Sequence, residues 1–121
     1  VTGVQTCALP ISKFKNENHG DVSLVLMLLS IIRLLKPNIL LPATTALGTV
    51  DPLGREKGIL HGANVVMPNL SPVKHRKDYS LYDNKICTGD EAAQCIGCLA
   101  DRMKKIGCEI VTDRGDYKAD I

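Results

Sequence analysis

Residues 38–68 read NILLPATTALGTVDPLGREKGILHGANVVMP, and this stretch decides the fold. It opens with a brief apolar run, Asn38 to Ala43, of the kind that forms a strand covered on both faces. Thr44-Thr45-Ala46-Leu47-Gly48 follows directly. Asp51-Pro52 then starts a helix that runs to about Leu60, with the proline near the first helical position, where its missing N–H costs nothing. Gly62 suits the left-handed residue that ends such a helix. Ala63-Asn64-Val65-Val66-Met67 reads as a second short strand, closed by Pro68. Strand, helix and strand at this spacing make a parallel βαβ unit, and the chain is of the α/β class. A parallel sheet with crossover helices carries its chemistry at the carboxyl ends of the strands. Those ends are Thr44-Thr45 and Met67-Pro68-Asn69.

Upstream, Val22 to Leu35 is a helix with Asp21 as its N-cap and Pro37 as its stop. Eleven of its fourteen residues are apolar, the others being Ser23, Ser30 and Arg33. A helix apolar nearly all round belongs between other elements. It is shorter than the ~18 residues of a membrane span. Downstream, residues 71–85 form a longer connection that carries Tyr79 and Tyr82. A third helix is expected from about Gly89 to Ile106, with Thr88 and Glu91 at capping-box spacing. Ala92, Ile96, Leu99, Met103 and Ile106 would form its apolar stripe, and Gly107 would end it. Cys108 to Thr112 reads as a last short strand or an extended tail. Two strands do not make a sheet that stands alone, so this is the pattern of the tail of a larger α/β domain. Residues 1–11 resemble an in-frame translation of a sequencing adapter, and reading begins properly at Ser12. The expected divisions are 1–11 as artefact, 12–86 as βα units, 87–106 as a cysteine-bearing helix and 107–121 as a tail.

Composition excludes several functions. Fifteen basic and thirteen acidic residues leave a net charge of +2, too mild to argue for nucleic acid or an anionic membrane. A 45% hydrophobic content excludes a disordered tail. With 3% aromatics, no Trp and one Phe, no base-stacking platform is present.

The strongest chemical signal is Cys87-x7-Cys95-x2-Cys98. Cys95 and Cys98 lie three apart on the expected helix, and Cys87 just precedes it. The helix N-terminal half favours thiolate. Zinc and iron–sulfur clusters both accept such a donor set. No fourth ligand is evident: Cys108 is ten residues past Cys98, roughly 15 Å along a helix, and His75 is a lone loop residue. The competing reading is that these cysteines are small buried apolar residues.

Pro42-Ala-Thr44-Thr45-Ala-Leu-Gly48-Thr, Asp51-Pro-Leu-Gly54-Arg55-Glu56-Lys, Gly62-Ala-Asn64-Val-Val-Met67-Pro68-Asn69 and Asn84-Lys-Ile-Cys87-Thr, in this order, resemble the C-terminal part of the HydE family. Its members are radical S-adenosylmethionine (SAM) maturases of [FeFe] hydrogenase. The resemblance runs from about Phe14 to Lys118. It implies a (β/α)8 TIM barrel of which this chain holds the last two βα units and the C-terminal helix. It implies SAM and a [4Fe-4S] cluster in the whole enzyme, which generates a 5′-deoxyadenosyl radical acting on a cysteine-bound iron precursor. Thr44, Thr45 and Met67 match cavity-lining positions, and Tyr79, with Tyr82 near it, matches a tyrosine that closes over the site. Cys87, Cys95 and Cys98 match an accessory [2Fe-2S] or [4Fe-4S] site found in part of the family. Companion hydrogenase maturases as partners and an anaerobic cytoplasmic setting follow by analogy, with no nucleic acid and no membrane. The radical-SAM Cys-x3-Cys-x2-Cys motif is absent from these 121 residues, so the chain alone is expected to be inactive. Two other readings stay open: a related enzyme of the biotin synthase or methylornithine synthase type, and a small stand-alone iron–sulfur or zinc module.

Overall fold

The structure, a computed structural model, describes residues 21–75, 92–113, 115 and 116. Its elements are α1 (Val22–Leu35), β1 (Pro42–Ala43), α2 (Thr45–Val50), α3 (Gly54–Leu60), β2 (Val65–Val66) and α4 (Ala92–Lys105). β1 and β2 pair in parallel, Pro42 opposite Val65 and Ala43 opposite Val66, so the βαβ unit is present.

The ladder is shorter than the apolar runs because a side chain takes over at its start. The Asn64 Oδ1 accepts the Leu41 N–H at 2.8 Å. The Asn64 and Val65 N–H groups both donate to the Leu41 carbonyl, at 2.9 and 3.0 Å. Asn64 thereby fixes the register that the two valines alone would leave loose.

The crossover holds two helices rather than the single one expected from Asp51. Thr44 is the N-cap of α2, its hydroxyl oxygen accepting the Leu47 N–H at 3.1 Å. Pro52 falls in the turn between α2 and α3. There Asp51 Oδ1 accepts the Leu53 N–H at 2.9 Å and the Asp51 carbonyl accepts the Gly54 N–H at 2.7 Å. Gly54 is required at this junction: a Cβ there would lie 2.3 Å from the Leu47 carbonyl oxygen, so α2 and α3 touch backbone to backbone. Gly58 lets α3 close on the sheet, its added Cβ coming 3.1 Å from the Ala43 Cβ.

Helices α3 and α4 end alike. Gly62 (φ 102°) and Gly107 (φ 77°) are both left-handed. In each case the glycine N–H and the next N–H reach back to the last turn, Gly62 to Ile59 and Ala63 to Gly58, Gly107 to Lys104 and Cys108 to Met103. These are Schellman motifs, which satisfy the last carbonyls. No strand forms over 108–112.

The core consists of Leu26, Leu29, Leu41, Ala43, Leu47 and Ala63, with Val25, Ile32, Ile59 and Val66 packed at its margin. Two expectations about helix faces are corrected. α1 buries only Leu26 and Leu29, while Leu24, Met27, Leu28, Ile31, Leu34 and Leu35 are exposed. Helix α3 and the short sheet cover one side of this helix, and nothing among the described residues covers the other. In α4 the buried stripe is Cys95, Leu99 and Met103, and Ile96 is 45% exposed. Cys95 occupies the inward position that the apolar spacing assigns to Ile96.

Candidate functional site

The carboxyl ends of β1 and β2 position the residues of interest. Thr44 leaves β1 with extended φ and ψ of −73° and 155°, which turns its hydroxyl back over the first turn of α2. A hydroxyl has two lone pairs and one hydrogen. The cap uses a lone pair, so the hydrogen stays available to a ligand acceptor. Thr45 begins α2, and its carbonyl accepts the Thr49 hydroxyl at 3.1 Å. Met67, beyond β2, is 48% exposed and so is not a core gap-filler among the described residues. Tyr79, Tyr82 and Cys87 lie outside the described residues.

The two other cysteines of the triad differ in setting. Cys95 is buried, and its Sγ accepts the Asn69 backbone N–H at 3.4 Å. This bond joins the segment after β2 to α4. Cys98, one turn along, is exposed. Cys108 is half-buried, with its thiol 3.9 Å from the Ile106 carbonyl. No group of three metal-ligating side chains forms among the described residues. The donor chemistry nonetheless suits an iron–sulfur group: two thiols one turn apart, one of them already receiving an amide N–H of the kind that stabilises a thiolate.

The charged pair that anchors α4 is absent from the sequence reading. Arg102 grips Glu56 as a fork, Nε to Oε1 and Nη2 to Oε2 at 2.6 Å, and Nη2 also donates to the Pro52 carbonyl. Burial pushes the Glu56 carboxyl up. The Arg102 hydrogen bonds, a backbone hydrogen bond, and the charges of Arg102 and Arg55 outweigh it and hold the group below its ordinary value. No spacing in the sequence signals it, since Lys57 in the same Gly54–Gly58 stretch is exposed while Arg55 and Glu56 turn inward. Both of the latter are buried.

No family model matches the chain. Over 109 residues, 90% of its length, the chain is 39% identical to the [FeFe] hydrogenase maturase subunit HydE of Thermotoga maritima. The chain is similar to HydE along nearly its whole length. It spans about a third of that protein, 31% of its residues. The parallel β1–β2 unit with its crossover helices is a part of an α/β architecture. No helix among the described residues is long and apolar enough to cross a membrane.

Proposed function

We propose that the chain is the C-terminal portion of a radical SAM enzyme that matures the active site of [FeFe] hydrogenase. The observation that carries this reading is the 39% identity to HydE over 109 residues. The edges of the structure agree with it. β1 and β2 are two parallel strands with no third among the described residues, and α1 presents a bare apolar flank. Both features belong to a closed (β/α)8 barrel whose other units come from a longer chain.

On this reading Thr44 and Thr45 face the barrel's ligand cavity from the end of β1. The capped Thr44 hydroxyl is a rigid, short donor toward a ligand carboxylate. Met67 lines the same cavity from the end of β2, and Tyr79 and Tyr82 close over it. SAM and the [4Fe-4S] cluster of the whole enzyme supply a 5′-deoxyadenosyl radical, with ligands outside this chain. Cys87, Cys95 and Cys98 would hold the accessory cluster. This chain's own contribution there is the buried Cys95 sulfur, fixed by the Asn69 N–H. The substrate is a cysteine-bound iron precursor, the partners are companion maturases, and the setting is an anaerobic cytoplasm.

The test is to recover the coding sequence that precedes Ser12 and assay both products. An extended reading frame with Cys-x3-Cys-x2-Cys in its N-terminal third should make 5′-deoxyadenosine from SAM under reduction, and the 121-residue chain should make none. A start codon close to Ser12 would overturn the reading, as would 5′-deoxyadenosine from the short chain. Anaerobic iron and sulfide reconstitution of the short chain addresses the cysteines separately. A charge-transfer spectrum lost in Cys95→Ser and Cys98→Ser variants is expected.

A further inference from the structure

Arg55 carries a charge that the fold does not account for. It is 2% exposed, and its Nε is buried with no acceptor. An arginine cannot relieve this by losing its proton, because its guanidinium stays charged at any pH a protein survives. The neighbouring carboxylates are already engaged. Glu56 gives both oxygens to Arg102. Asp51 gives one oxygen to Lys57 at 2.5 Å and the other to the Leu53 N–H. Two guanidinium groups thus share one carboxylate on the inner side of α3.

The position of Arg55 is informative. It precedes Gly58 by three residues and so lies on the same side of α3, the side that meets Ala43 of β1. Helix α3 carries the chain back from the carboxyl end of β1 to the start of β2, so its first turn lies nearest that carboxyl end. The backbone there is rigid, since Gly54 is wedged against Leu47. A charged, buried arginine whose Nε–H has no acceptor, carried on a fixed backbone at the carboxyl end of a parallel strand, suits a planar fork of oxygens.

We propose that Arg55 is an oxyanion-binding residue, taking a carboxylate or similar oxyanion through its Nε edge. The anion comes either from an acidic side chain elsewhere in the chain or from a small free anion. The inference does not depend on the hydrogenase reading.

The test is NMR of the whole 121-residue chain labelled with 15Nε-arginine, with the Arg55 signal assigned by difference from R55M and R55K. Sulfate and formate are titrated at constant ionic strength against chloride. A saturable downfield shift of the Arg55 Nε–H, absent in R55M, supports a free-anion site. A signal already downfield without added anion, which moves back as the pH is lowered through the carboxylate range, supports an internal carboxylate. As a second measurement, saturating sulfate should raise the melting temperature of the wild type and leave that of R55M unchanged in the free-anion case. A signal that neither anion moves and that stays fixed through the carboxylate range would overturn the proposal, since the Nε–H would then be held by a backbone carbonyl or by nothing.

Discussion

Helices α1 and α4 are both fourteen residues long, and they treat their apolar residues in opposite ways. α4 is amphipathic. It buries Cys95, Leu99 and Met103 along one stripe and turns Arg102, Lys104 and Lys105 to its last turn, where they suit the helix dipole. α1 is apolar on every side yet buries only Leu26 and Leu29. The difference shows which helix is finished. A one-sided helix needs one neighbour, and α4 has it. A helix apolar all round needs two, and the described residues supply α3 and the sheet margin on one side only. Six large apolar side chains on the outer flank of α1 are the surface on which a longer chain would pack.

The largest effect should come from the finished side. Among the described residues, Leu99 and Met103 are the largest fully buried side chains. Leu99→Ala or Met103→Ala should cost about 2–5 kcal/mol, by lost transfer energy and the cavity left behind. Urea denaturation followed by circular dichroism checks it. A loss no greater than that of an exposed leucine would mean that α4 is not docked as described.

The Glu56–Arg102 fork holds α4 onto α3 and gives the next effect. Glu56→Gln leaves a half-buried guanidinium without its countercharge. The expected cost is about 2 kcal/mol, between the values for exposed and buried pairs. The pH dependence has a definite sign. Because the folded carboxyl titrates below its ordinary value of 4.5, the pair's contribution is fully present above that value and is lost as the pH falls through the lowered one. Stability of the wild type should therefore drop in that acid range more steeply than that of Glu56→Gln. Parallel acid profiles for the two proteins would show that the pair does not anchor the helix.

Thr44 gives a smaller effect and separates two roles. As an N-cap, Thr44→Ala should cost about 1 kcal/mol and Thr44→Ser much less, while Thr45→Ala, at a non-cap position, should cost less than Thr44→Ala. If Thr44→Ala and Thr45→Ala are equally costly in the unliganded chain, the capping geometry is wrong.

Local patterning made the βαβ unit, the Asp21 cap and the Gly62 and Gly107 endings legible, because each depends on residues a few positions apart. The second helix of the crossover was hidden because Thr44-Thr45 reads equally as a strand end, and only the Leu47 N–H pointing at Thr44 decides it. The exchange of Cys95 for Ile96 in the α4 stripe was hidden for a related reason. Adjacent positions on a helix differ by about 100°, and the neighbour at Asn69, 26 residues away, selects which one faces in. The fork between Glu56 and Arg102 spans 46 residues, and no periodicity encodes it. Of the candidate site, Thr44, Thr45 and Met67 were readable as strand ends. A ligand for them is proposed only through the resemblance to HydE.

The smallest effect is the sharpest test of the comparison. Leu34 is 81% exposed and Leu35 72%. Leu34→Lys should change the stability of the 121-residue chain by no more than about 0.5 kcal/mol, because the side chain has almost no contact to lose. It should also raise the soluble yield, since it breaks a bare apolar patch. In a longer protein that covers this flank, the same lysine would have to be buried or would force the helix away. There the substitution should cost more than about 2 kcal/mol, the scale of burying a leucine together with the penalty for a charge. Measuring Leu34→Lys in both lengths of protein turns the bare flank into a number. A small effect in the short chain with a large one in the long chain places α1 inside a bigger domain. An equal, small effect in both would mean that this face of the helix meets solvent in the whole protein too, and the contrast with α4 would then be one of sequence alone.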